Sequence, residues 1–146
     1  GSQHVSGARL YLRPDLYPVR ISAAALGTGR PDAELLVSPS HRLILDGPKA
    51  RDLFNAPEVL VAARELVNNG SGWVDRTVRE VSYIHVLLER HEIVFANGVE
   101  TESFYAPEAA LSARQAREVS AFIEKDEPFA RRVLSAGEAA IFNHAA

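Results

Sequence analysis

The sequence predicts a mainly β fold with a helical C-terminal extension, and three observations carry that expectation. Short apolar runs, separated by Gly, Pro and Asn turn signals, follow one another from Val19 to Phe104, the pattern of short strands. The run from Ile93 to Phe104 is interrupted by Asn97-Gly98. Asn-Gly supplies the two positive-φ residues that a type I′ hairpin turn needs. After Pro107 the spacing changes to that of a helix, with Ala116, Val119, Phe122 and Ile123 on one face. Strands followed by helices argue for a β-rich core with a helical appendage.

Residues 1–18 hold few apolar runs and carry Pro14 and Pro18. They read as a lead-in with one strand around Leu10 to Leu12. Gly1-Ser2 reads as a cloning or protease scar, and the chain, which has no methionine, is expected to be part of a longer protein. Val19-Arg20-Ile21 alternates like a short strand, and Ala23 to Leu26 is a turn or helical piece stopped by Gly27 and Gly29. Glu34 to Val37 and Arg42 to Leu45 are apolar runs on either side of a Ser-Pro-Ser-His turn, the second ending at Asp46-Gly47-Pro48. Val59 to Val61 reads as a strand, and Ala62 to Val67 as helix formers stopped at Asn68-Asn69-Gly70.

Val81 to Leu88 is the longest strand candidate. Ser82, Ile84, Val86 and Leu88 make its more apolar face and its expected core side; Val81, Tyr83, His85 and Leu87 make the other. Further on, Ser112-Ala113-Arg114-Gln115 matches a capping box. Asp126-Glu127-Pro128 breaks that helix and opens another, with Phe129, Val133 and Leu134 as its stripe and Gly137 as its stop. The expected divisions are a lead-in over 1–18, a β domain over 19–106 and a helical extension over 107–146.

Composition narrows the function. With 146 residues the chain holds one ordinary domain. Its 47% hydrophobic and 24% charged content are those of a globular protein. A net charge of -3 offers no global field for nucleic acid or acidic lipid, so neither is an expected partner. No apolar run approaches the roughly 20 residues of a membrane helix. The absence of cysteine removes disulfides, thiolate metal sites and a cysteine nucleophile from within these residues; it leaves the compartment open.

Ser38 and His41 are the first candidate site. The Ser-Pro turn fixes the backbone, and a histidine three residues on can curl back toward the hydroxyl as an acid or base near neutral pH. The same spacing also suits a histidine that closes a turn by bonding a carbonyl. His85 and His91 are further candidates, each open to the alternative of a structural histidine on a sheet face. Asp46 and Glu92 are carboxylates that could orient or deprotonate. A zinc site of His41, His85 and His91 is conceivable chemically, but no pair has the compact spacing of a helix-borne site. No metal or cofactor is expected.

The order of these pieces carries a resemblance. Leu35 to Leu45, Val59 to Ala63 with Leu66-Val67, Val81 to Val86, and above all His91 to Phe104 resemble the Hint superfamily of hedgehog autoprocessing domains and inteins. They resemble most the bacterial Hint-type domains at the C-termini of large, often secreted proteins. Arg132-Val133-Leu134 with Gly137-Glu138-Ala139 is similar to the extension such domains often carry, so the resemblance runs from about Val19 to Phe142. It implies a Hint-like β fold of short strands and hairpins. It also implies cleavage of the protein's own backbone by a cysteine-initiated N–S acyl shift, with the N-terminal flanking polypeptide as substrate.

The family's Thr-x-x-His motif polarises the scissile amide. Ser38-Pro39-Ser40-His41 is similar, with Ser in the Thr position and the hydroxyl retained. His91 occupies a histidine position of the C-terminal hairpin, and His85 lies in a strand that also resembles the family's. Three departures stand out. The cysteine is absent, and on the resemblance would precede Gly1. Glu102 and Ser103 stand where inteins end in His-Asn, so asparagine cyclisation is not expected. The chain also continues well beyond that point. The resemblance thus implies the C-terminal portion of an autoprocessing domain, inert alone. The alternative is a non-catalytic β-rich module that binds a complementary fragment or a second copy by strand addition.

Overall fold

A computed structural model describes residues 1–86, 88, 91–103 and 131–144. Among these residues the strands form three sheets. β1 (Ser2–Val5) pairs antiparallel with β7 (Val81–Ile84). β2 (Val19–Ile21) lies between β3 (Leu35–Val37) and β6 (Gly72–Val74). The third sheet runs β10 (Arg132–Val133), β5 (Glu58–Ala62), β4 (Arg42–Asp46), β9 (Val99–Glu102), β8 (Ile93–Ala96). Among the described residues the α-helices are α1 (Gly7–Leu12), α2 (Pro48–Phe54) and α3 (Ala136–His144).

The centre of the large sheet is apolar on both faces. Leu43, Ile44 and Leu45 of β4 and Val59, Leu60 and Val61 of β5 are all buried, which is why both strands read as continuous apolar runs instead of alternating ones. The β2–β3 pair packs Val19, Ile21, Leu35 and Val37 onto the same core, which α2 extends with Ala50 and Phe54. Burying each large side chain stabilises the fold by about 1.5–3 kcal/mol. The β8–β9 hairpin forms as expected. Asn97 (φ 48°) and Gly98 (φ 72°) make the two-residue turn, and Ala96 faces Val99 across it.

Several elements differ from the sequence expectation. Residues 10–12 lie in α1, not in a strand, because the Ser6 hydroxyl caps that helix by accepting from the Arg9 amide. The lead-in does contribute a strand, but at Ser2–Val5. α2 follows Gly47, whose φ of 96° turns the chain before Pro48 starts the helix; Asn55 ends it in the left-handed conformation. β6 carries no strand signal in the sequence because it is short and opens on Gly72. That glycine is required, since a Cβ there would meet the Leu66 carbonyl oxygen at 2.5 Å.

β7 is shorter than Val81 to Leu88 and presents the opposite face to the core. Val81 and Tyr83 are each only 7% exposed, whereas Ile84 is 78% exposed. β1 and α1 supply the reason. They bring Val5 and Leu10 onto the Val81–Tyr83 face, and the Tyr83 hydroxyl donates to the Leu16 carbonyl at 2.6 Å.

The expected helix from Ser112 to Ile123, and the start of the next at Pro128, lie outside the described residues. Val133 is in a strand, not a helical stripe: β10 adds in parallel to the free edge of β5, and the Leu134 amide donates to the Leu60 carbonyl at 2.9 Å. Gly137 lies inside α3 and does not stop a helix. Ser135 and Glu138 start α3 with a reciprocal cap, the Glu138 amide donating to the Ser135 hydroxyl and the Ser135 amide to the Glu138 carboxylate. Leu134 and Ala139 enter the main core. No helix among the described residues is long and apolar enough to cross a membrane.

Candidate functional site

The Ser38-Pro39-Ser40-His41 turn joins β3 to β4 and is clamped through its backbone. The His41 amide donates to the Ser38 carbonyl at 3.0 Å. The Pro39 and His41 carbonyls accept from the amides of Arg64 and Ala63, at 2.9 and 2.8 Å. These bonds tie the turn to the 3-10 segment Ala63–Leu66 and hold the His41 backbone rigidly.

From there the His41 side chain reaches β9. Its Nε2 is hydrogen-bonded to the hydroxyl of Thr101, a buried residue directly opposite Leu43. The same hydroxyl donates to the Arg42 carbonyl at 2.7 Å. Burial pushes the His41 imidazole below its ordinary pKa of 6.5. The Glu102 carboxylate opposes that shift, and the positive charges of His85 and Arg42 add to it.

Glu102, the next residue of β9, is buried and meets Arg42, the next residue of β4. Its Oε1 accepts from the Arg42 amide at 3.0 Å, and its Oε2 accepts from the Arg42 guanidinium at 3.0 Å. The same Oε2 is 3.0 Å from Nε2 of the buried His91. Ser103 is fully buried; its amide donates to the Glu92 carbonyl, and its hydroxyl accepts from the Glu92 amide at 2.9 Å. The dipeptide His41-Arg42 is therefore met, residue for residue, by Thr101-Glu102.

His85 follows β7. Its amide and carbonyl exchange hydrogen bonds with Gly1, each 2.8 Å long. Burial, then the positive amino group of Gly1, lower its pKa. His85 thus lies within electrostatic reach of His41, while His91 joins the site through Glu102. Ser38 contributes its carbonyl to the turn; its hydroxyl makes no hydrogen bond among the described residues. Asp46 lies at the far end of β4 from His41, paired with Arg30 at 2.9 Å.

Against this geometry, a family model described as Hint domain matches residues 1–108. The chain belongs to the Hint domain family. The match takes in β1, α1 and every strand through β9, so it begins earlier than the Val19 at which the motif resemblance starts. Searches of curated proteins and of solved structures each found no match. The Hint domain is a β fold of autoprocessing type. In this Hint domain, no group of three or more His, Cys, Asp or Glu among the described residues is placed to hold a metal ion, so His41, His85 and His91 do not form a shared ligand set.

Sequence reasoning did not single out Thr101 or Arg42, and it noted Glu102 only as a replacement for a histidine. One signal was available. Thr101, Glu102 and Ser103 put consecutive polar residues where a core strand would ordinarily place apolar ones. All three are buried, and buried polar groups need partners.

Proposed function

We propose that this Hint domain cleaves peptide backbone by a cysteine-initiated N–S acyl shift, as the C-terminal portion of a larger self-processing unit whose substrate is its own N-terminal flanking polypeptide. The observation that supports this reading most is the clamped Ser38–His41 turn, with an imidazole kept neutral by burial and held against β9. The 146 residues contain no cysteine, so the sulfur would come from outside them. In the step, neutral His41 takes the thiol proton and the sulfur attacks the carbonyl carbon of the preceding residue. The C–N bond then breaks, and His41 passes the proton to the departing amine nitrogen. The product is a thioester, which water or another nucleophile resolves, restoring the thiol. Ser38 would hydrogen-bond the distorted peptide. His91 would assist through Glu102, and His85 as a second imidazole near His41.

The test joins the domain to a cysteine-bearing upstream segment and follows cleavage by intact mass. His41→Ala should slow processing by roughly 10²–10⁴-fold. Ser38→Ala should cost less, on the order of 1 kcal/mol. Unchanged processing by His41→Ala refutes the assignment, and a larger effect from Ser38→Ala reverses the roles. The present chain alone, incubated with excess thiol or hydroxylamine, should keep its mass.

A second reading, a binding module that accepts an added strand, draws on β8, the outermost strand of its sheet among the described residues, with Phe95 72% exposed. Such an edge can template a further strand. Concentration-dependent association that Phe95→Lys abolishes, with no cleavage in the cysteine-bearing protein, would favour it.

A further inference from the structure

We propose that Thr101 is a positioning residue that sets which nitrogen of His41 carries the proton, leaving Nδ1 as the nitrogen that exchanges protons with the reacting groups. The inference rests on the reading of His41 as the proton-transfer group. It follows from counting donors. The Arg42 carbonyl can only accept, so the single hydroxyl proton of Thr101 goes to it, at 2.7 Å. The Thr101 oxygen then turns lone pairs toward His41, and its contact with Nε2 requires a proton on Nε2. Neutral His41 is therefore the Nε2–H tautomer, with its lone pair on Nδ1.

The arrangement is held from several sides. Thr101 is 2% exposed and β-branched, so few rotamers are open to it. Its backbone is registered against Leu43, and the His41 backbone is clamped to the Ala63–Leu66 segment. Valine has nearly the same shape and suits a buried strand position better than threonine does. A hydroxyl here is explained by the two bonds it makes.

The experiment is ¹⁵N NMR of the histidine rings of this chain at mildly alkaline pH, in the wild type, Thr101→Val and Thr101→Ser. The wild type and Thr101→Ser should show neutral His41 with Nε2 protonated and Nδ1 bare. Thr101→Val should show both tautomers, with the backbone amide spectrum of the sheet unchanged. A wild-type His41 protonated on Nδ1 overturns the inference even if Thr101→Val fails to fold, and so does a folded Thr101→Val that keeps the Nε2–H tautomer alone. In the cysteine-bearing protein, Thr101→Val should slow cleavage by about tenfold or more, and Thr101→Ser should restore it. A wild-type rate in Thr101→Val beside a dead His41→Ala overturns this inference alone. Wild-type rates in both overturn the reading of His41 on which it rests.

Discussion

Replacing Glu102 by glutamine removes one negative charge and one acceptor from a buried cluster of known geometry. The carboxylate now serves the Arg42 amide, the Arg42 guanidinium and His91. A carboxamide has one acceptor oxygen and one donor nitrogen. If the oxygen stays on the Arg42 amide, the NH₂ group faces a guanidinium that can only donate and an imidazole. His91 can adapt by accepting through Nε2. The guanidinium cannot. One charge-assisted bond, about 1.5–3 kcal/mol, is lost, and another weakens to the neutral range of about 0.5–1.5 kcal/mol. The Arg42 side chain is 26% exposed, so water recovers part of this and the low end applies. The expected cost is about 2–3 kcal/mol, or roughly 5–10 °C in Tm for a chain of this size. Urea and thermal unfolding measure it. The control is Glu100→Gln, whose Arg30 partner is 3.4 Å away at a partly exposed site and which should cost less than about 1 kcal/mol. A Glu102→Gln protein no less stable than the Glu100→Gln protein would refute the reasoning.

His41 also makes stability depend on pH. Its folded pKa lies below the ordinary 6.5 because burial disfavours the cation, so the unfolded chain binds the proton more readily. The contribution is fully present above pH 6.5 and is lost as the pH falls through the folded value. Urea unfolding should show stability declining on acidification through this window. His41→Gln should flatten the decline in part, since His85 is shifted in the same direction; an identical slope in the variant would count against the burial argument. Leu134→Ala should cost about 2–5 kcal/mol, because the side chain is 6% exposed within the main core. A loss below about 1 kcal/mol in urea unfolding would mean that the residues after 130 do not complete that core.

What the sequence made readable is what local chemistry controls. Asn97-Gly98 specifies a turn by its two backbone conformations, whatever surrounds it, and the continuous apolar runs of β4 and β5 announce burial on both faces. Where a residue's fate depends on a distant partner, the sequence was silent or misleading. The face of β7 reversed because β1, drawn from the start of the chain, chose it; Ile84 is as apolar as Val81, and nothing local ranks them. Val133 reads as part of a helical stripe until β5 offers an edge. The site divides in the same way. Ser38 and His41 share a turn and could be seen, whereas Thr101 acquires its role only when β9 is laid against β4.

The placement of β10 bears on how the chain folds as it is made. Arg131 and Glu58, an ion pair, are 73 positions apart in the sequence, and β10 pairs beside them. At roughly 5–20 residues per second on the ribosome, the edge of β5 would stay open for several seconds after its own residues have been added. Nascent chains crowded on one message could pair through that edge before their own final strand arrives. Closing so long a loop is also a non-local step, which slows refolding relative to the hairpins.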